Sequence, residues 1–305
     1  VSGSSSKMSS REIPTELRGR FLEINVFPLS FREFLNFKNL RFNFKEARYV
    51  GEKRAEILKA LNEYLQYGAL PEIVLSQEDK KTEIALSYYQ TVIRRDIIER
   101  HKIKNEEALK ALLRLLLNST IYSISKLYNN LKSLDYKIGK NTLQNYIAYI
   151  ENSYFIFSVP IFSYKIKDQM QYPRKVYFID NVFINTVSTK FSKNKGRLYE
   201  NIVAVNLLKK FKSNIFYWKS MQKEEVDFIV KDGLKVRQLI QVCCDIGDIK
   251  TKEREVRALL KASKELKCKN LIIITEDKEG EEQATWFGIK RKIKYIQLWK
   301  WLLGE

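Results

Sequence analysis

The sequence predicts a multidomain protein of mixed α+β and α/β class, and three observations carry that prediction. Helical periodicity dominates from residue 46 to about 152, helix and strand patterns alternate from 195 to 305, and 305 residues with 45% hydrophobic content can bury a full core in more than one domain. Such a chain is neither a disordered tail nor a peptide hormone. The segmentation is 1–45, 46–104, 105–163 and 164–305.

Residues 1–45 do not read as the start of a domain. VSGSSSKMSS carries no strand or helix pattern, while RGRFLEINVFPLSFREFLNF gives a short strand, a break at Pro28 and a helix opened by Ser30 with Glu33 at the capping-box position. Between Glu52 and Tyr67, Ile57, Leu58, Leu61 and Leu65 recur at helical spacing, and Gly68 and Pro71 end the run. A second long helix, from about Lys81 to Arg100, places Tyr88, Tyr89, Val92, Ile93 and Ile97 on one stripe. Packing is the simplest role for this helical segment.

Residues 105–163 hold three short helices and an apolar strand from Tyr154 to Val159, the pattern of a winged helix. Its recognition helix begins near Lys140, with Lys140, Asn141, Gln144 and Asn145 toward a DNA groove and Lys126, Lys132 and Lys137 flanking as phosphate contacts. The same scaffold also serves protein packing, and the helices alone do not distinguish the two. A hinge is expected at Gln169–Arg174, around Pro173, and the strand KVYFID and a helix from about Asn181 open the last unit. That unit then runs helix GRLYENIVAVNLLKKF, strands IFYW, VDFIV and VRQLIQVC, helix EREVRALLKASKEL, and strands NLIIIT and KIKYIQLW.

Charge and cysteine usage narrow the setting. Fifty-five Lys and Arg against 36 Asp and Glu leave a formal +19, which favours a polyanionic partner, nucleic acid first, although a Lys-rich proteome gives the same excess. Lys209, Lys210, Lys212, Lys219 and Lys223 form a second basic surface or an ordinary solvated face. Cys243, Cys244 and Cys268 are odd in number and match no zinc spacing, the single histidine, His101, lying on a charged helix. A reducing, cytoplasmic setting is expected. No apolar run approaches the ~20 residues that span a bilayer, so no membrane partner is expected.

Buried acids mark the candidate chemistry. Glu200 shares a helical stripe with Val203, Ala204, Leu207 and Phe211, which aims a carboxylate at the core. Asp227 lies inside an apolar strand, facing away from Val226 and Phe228, and Gln241 lies in LIQVCC, on the strand face shared by Leu239 and Cys243. Buried acids are costly unless paired, bonded or metal-bound, so convergence of these positions points to a site. Two carboxylates and a backbone carbonyl suit a hard divalent cation such as magnesium.

Glu200, then Val226–Asp227, then Gln241–Cys243 resemble the motif series of the PD-(D/E)xK nuclease fold. The resemblance implies a restriction-endonuclease-like domain in which Glu200 and Asp227 hold Mg2+ and Gln241 assists. The family's strand lysine would orient the attacking water, and this sequence has Cys243 in its place. A thiol supplies no permanent positive charge beside a developing phosphorane, so weak or absent hydrolysis is expected unless a lysine such as Lys235 or Lys250 relocates.

The whole series, from GSSSK, LRGR and PLSFREFL through the winged helix and YFIDN to the nuclease-like tail, is similar to the C-terminal two-thirds of archaeal-type AAA+ ATPases with a DUF4143-like tail. That resemblance implies a remnant of the AAA+ core at 1–45, with Gly3 and Ser4 at sensor 1 and Arg18 or Arg20 at the arginine finger, and a helical lid at 46–104. Solvated turns or a flexible end are the alternatives for these residues. No G-x-x-x-x-G-K-[ST] occurs in the 305 residues, so ATP is expected only if the missing part is supplied by a longer gene product or another polypeptide. The expected function is a DNA-binding portion of such an ATPase with a degenerate nuclease-like domain. A metal-dependent endonuclease with a relocated lysine is one alternative. The other is a protein-interaction module that completes an ATPase in trans or self-associates.

Overall fold

The computed structural model describes residues 24–40, 50–188, 195–222 and 224–304. Ser4, Arg18, Arg20, Lys223 and most of the short strand expected before Pro28 lie outside the described residues.

The first described helix, α1 (Phe31–Phe37), starts where its cap dictates. The Ser30 hydroxyl accepts from the Glu33 amide at 3.3 Å, and the Glu33 carboxylate accepts from the Ser30 amide at 2.7 Å, so two otherwise orphaned donors are satisfied. Helix α2 (Gly51–Tyr67) buries Ile57, Ala60, Leu61, Tyr64 and Leu65, and stops at Gly68 with φ +76°. Pro71 opens the short α3 (Pro71–Leu75). The helix expected from Lys81 to Arg100 is α4 (Glu78–Thr91), which passes without a break into a π-helical segment, Val92–Glu99.

Next come α5 (Glu106–Leu117), β1 (Ile121–Tyr122), α6 (Ile124–Ser133), α7 (Lys140–Asn152), β2 (Ile156–Val159), α8 (Ile166–Gln171) and β3 (Arg174–Phe178). The three strands form an antiparallel sheet in the order β1–β3–β2. The strand KVYFID, assigned from sequence to the last unit, is β3 and pairs with β1 and β2, so a division after residue 163 cuts through one sheet. The expected hinge at Gln169–Arg174 spans the end of α8 and the first residue of β3.

Helix α9 (Asn181–Val187) is anchored by Asp180, whose buried carboxylate accepts from the Val182 amide at 2.8 Å and from the Ala69 amide, beyond α2, at 2.7 Å. Burial pushes this carboxyl up to about 6 against the pull of those two amides.

Beyond it, α10 (Lys195–Phe211) precedes β4 (Ile215–Lys219), β5 (Glu225–Asp232), β6 (Lys235–Val242), α11 (Ile249–Glu265), β7 (Leu271–Thr275), β8 (Gly280–Trp286), β9 (Ile289–Gln297) and α12 (Leu298–Leu303). The six strands order as β4–β5–β6–β7–β9–β8. Strands β4 to β6 are antiparallel neighbours, whereas β6, β7 and β9 run parallel, with α11 as the crossover from β6 to β7. The polar edge strand β8 carries no apolar alternation and does not announce itself in the sequence.

The alternation read in LIQVCC is real packing. Leu239 and Cys243 enter the core beneath α11 with Leu259 and Ile273, while Ile240 faces the other core. That second core runs unbroken from Phe155, Phe178 and Phe183 to Val203 of α10 and Phe228 of β5, joining the helical part to the large sheet. Burying side chains of this kind stabilises by about 1.5–3 kcal/mol each, before entropy is subtracted.

The close approach at Gly68 yields a prediction. A Cβ there would fall 1.6 Å from Asp180 Oδ1, on backbone with positive φ. Gly68→Ala is expected to destabilise the protein by about 2–4 kcal/mol, read as a lowered urea midpoint with an unchanged m-value.

Candidate functional site: a buried lysine among three carboxylates

Helix α10 delivers Glu200 and strand β5 delivers Asp227 to a common point. The group between them comes from neither element. Lys175, on β3 of the small sheet and 3% exposed, places its ammonium 2.7 Å from Asp227 Oδ1, 3.0 Å from Glu200 Oε1 and 2.8 Å from Glu225 Oε1. Tyr177, two residues along the same strand and therefore on the same face, donates its hydroxyl to Glu200 Oε1 at 2.6 Å. Glu225 and Asp227 share a face of β5 for the same reason, and Lys219 of β4 approaches Glu225 at 3.5 Å.

Gln241 lies beside this cluster on β6. Its Oε1 accepts from the Asp227 amide at 3.1 Å, and its Nε2 donates to Glu255 of α11 at 2.5 Å. Glu255 is also held by Arg254, with Nη2 at 2.6 Å. The second oxygen of Asp227 accepts from the Val242 amide at 2.9 Å. Every polar atom of Asp227 and Gln241 named here is bonded to protein.

The charge states follow from these contacts. Burial alone would lower the Lys175 ammonium, but Asp227, Glu200 and Glu225 outweigh it and hold that group protonated well above the usual lysine range. For Asp227, burial and the neighbouring Glu200 carboxylate raise the carboxyl to about 7 against the pull of Lys175. Burial pushes the Cys243 and Cys244 thiols up to about 12, which leaves both protonated and unreactive near neutral pH.

The residues do not fit a divalent cation in this arrangement. A metal held by Glu200 and Asp227 would need the point that the Lys175 ammonium fills, and no group of three or more His, Cys, Asp or Glu suited to a metal occurs among the described residues. The lysine at the acids is neither Lys235 nor Lys250, both of which are exposed. A groove of about 1220 Å3 opens elsewhere, between residues 24–28, α8 and the end of α10, and is lined by none of the acids of the cluster.

The expected DNA-contact residues lie together on another surface. Helix α7 begins at Lys140 and buries Leu143, Tyr146, Ile147 and Ile150, leaving Lys140, Asn141, Gln144 and Asn145 exposed. Lys126 and Lys132 are exposed on α6, and Lys137 on the loop before α7. The Lys140 ammonium lies 5.4 Å from the ring centroid of Tyr128 on α6. The second basic surface is weaker than its residue count. Lys209 donates to the Pro28 carbonyl and Lys219 is drawn to Glu225, so neither is a free surface cation.

Lys175, Tyr177, Glu225 and Glu255 belong to no recognisable motif in the sequence. The available signal was local: E-V-D and K-V-Y each put polar residues two apart in an otherwise apolar strand.

Lys175→Met tests the cluster. Three carboxylates would lose their shared counter-ion, and the expected cost at neutral pH is about 3–5 kcal/mol in chemical denaturation. The Asp227 carboxyl, already raised to about 7 by burial, loses the pull of Lys175 in that variant and rises further above its unfolded value. Its stability is therefore expected to be greatest at low pH and to be lost as pH rises through the neutral range, narrowing the gap to wild type at about pH 5.

Comparison with known sequences places the chain. Residues 58–194 match a family described as a domain of unknown function, DUF8612, and residues 195–294 match another, DUF4143. Residues 1–35 match an AAA domain family. The division at 194/195 leaves β3 with its sheet partners. The uncharacterized protein MJ1544 of Methanocaldococcus jannaschii is 42% identical over 311 residues, covering 99% of this chain and 68% of that protein. An uncharacterized protein of Haemophilus influenzae is 28% identical over 250 residues, covering 81% of this chain and 59% of that protein. No helix among the described residues is long and apolar enough to cross a membrane. The chain thus belongs to the family of MJ1544, an AAA-like, ATPase-associated family that carries the DUF4143 region.

Proposed function

We propose that this chain is the DNA-binding, non-hydrolytic portion of an AAA-type ATPase, gripping duplex through a winged helix and carrying a nuclease-like domain whose acids have become structural. The order helix, strand, helix, helix, strand from α5 to β2, followed by the short α8 and then β3, with β3 between β1 and β2, supports the winged-helix reading. The order α10, β4, β5, β6, α11, β7, with one acid on the helix and another on the second strand, supports the nuclease-like reading.

The observation that carries the proposal is the Lys175 ammonium at the centre of the acids. It satisfies Glu200 and Asp227 without a metal, and it occupies the point between them that a metal and its water would need. What remains for function is the exposed polar face of α7 with its flanking lysines. None of Lys126, Lys132, Lys137 and Lys140 forms an ion pair among the described residues, so each is available to a phosphate. ATP enters this reading through the AAA-type region, and ATP turnover belongs to the assembled ATPase rather than to the residues described here.

Salt-titrated binding to a labelled duplex provides the test. Affinity should fall steeply between about 50 and 200 mM salt, and Lys137→Ala with Lys140→Ala should reduce the log–log slope by about 2, near one phosphate per lysine. Asp227→Asn should leave that slope unchanged. Binding that ignores ionic strength, or Mg2+-dependent cleavage of the duplex abolished by Asp227→Asn, would reverse the proposal.

A further inference from the structure

A helix laid on duplex DNA is steadied by contacts on both flanks, and here one flank is committed elsewhere. The loop between β2 and β3 is held against β4: the Phe162 amide donates to the Tyr217 carbonyl at 2.6 Å, the Tyr217 amide donates to the Pro160 carbonyl at 3.0 Å, and Phe162 packs edge-on against Phe216 at 5.6 Å. The Tyr217 hydroxyl donates to the Pro173 carbonyl at 2.6 Å and secures the other end of the loop.

The turn that follows the π-helical segment is fixed against α7 itself. His101 stacks on Tyr149 with ring centroids 3.8 Å apart and planes within 5°. The Tyr146 hydroxyl reaches the Asn105 carbonyl at 3.5 Å, and the Asn105 amide group reaches the Lys137 carbonyl at 3.5 Å. Ile103 is buried between these anchors, and Lys102 turns the chain with φ +50°. Tyr149 lies on the stripe of α7 that carries Asn141 and Asn145, at i, i+4 and i+8. The turn therefore borders the polar face.

Its two flanking residues, Lys102 and Lys104, are exposed and form no ion pair among the described residues. The acids nearest in sequence are engaged: Glu99 with Arg94 at 3.2 Å, and Glu107 and Glu106 with Lys110 at 2.8 and 3.9 Å. A rigid turn thus presents two uncompensated cations along one edge of α7.

We propose that the turn at residues 100–105 is a second phosphate-binding edge of the duplex interface, with Lys102 and Lys104 as its contacts and His101 as the residue that positions them. This rests on the DNA-binding reading of α7 and adds to it a surface outside the winged helix. Because the turn is pinned at His101, Ile103 and Asn105, little backbone entropy is lost when its two lysines meet phosphate.

Fluorescence anisotropy with a labelled mixed-sequence duplex, titrated in salt from about 50 to 200 mM, tests the proposal. Lys102→Ala with Lys104→Ala should lower the log–log slope by about 2 and weaken binding about tenfold at the low-salt end, with the thermal midpoint unchanged because both side chains are exposed. Lys264→Ala with Lys269→Ala removes the same charge from a distant surface and should leave binding near wild type. His101→Ala, which alters no lysine, should weaken binding by a smaller factor. If wild type binds with a steep slope and the Lys102/Lys104 pair behaves like the Lys264/Lys269 pair, the second edge does not exist. If wild type shows no salt-dependent binding, or prefers anionic phospholipid vesicles to duplex, the DNA reading itself fails.

Discussion

One ammonium group, buried against three carboxylates, is the contact on which the rest of this structure depends. Lys175 arrives from the small sheet, while Glu200, Glu225 and Asp227 arrive from the α10 helix and the large sheet. A buried cation without partners would cost several kcal/mol, and so would the acids without it. Each side thus makes the other tolerable, and the two sheets are held in one relative position. The continuous apolar core through Phe155, Phe178, Val203 and Phe228 supplies the bulk of the burial, whereas the ion cluster supplies register.

The same contact decides what the acids can do. In a hydrolytic site, carboxylates are held so that a metal and a water complete them. Here Asp227 is completed by Lys175 and the Val242 amide, Glu200 by Lys175 and Tyr177, and Gln241 by the Asp227 amide and Glu255. Cys243 stands on the strand beside the acids, and the cation that meets them comes instead from the neighbouring small sheet. The acids thus join the two sheets, and the exposed polar surface along α7 lies apart from them.

Much of this was legible from residue order, and what was not has a physical reason. The stripe of Glu200 on α10, the alternation through Leu239 and Cys243 and the start of α7 at Lys140 are local patterns with a period, and periods survive in one dimension. Lys175 is 25 positions from Glu200 and 52 from Asp227, and nothing in KVYF indicates which sheet its lysine will face. Strand pairing is likewise absent from a strand's own pattern, so KVYF gives no sign that β3 pairs with β1 and β2. The edge strand β8, exposed and polar, resembles a loop because it has little apolar face to bury. Glu255 was hidden because a helix rich in Lys, Arg and Glu offers no way to tell which acid turns inward toward Gln241.

A titration of Mn2+ followed by electron paramagnetic resonance addresses the nature of the cluster most directly, because the free ion gives the signal and a bound one loses it. With Lys175 in place, the signal at protein excess should match that of the same Mn2+ concentration in buffer without protein. Stoichiometric uptake of Mn2+ by the wild-type protein, abolished by Asp227→Asn, would show that the carboxylates hold a metal after all and that the lysine is not their permanent partner.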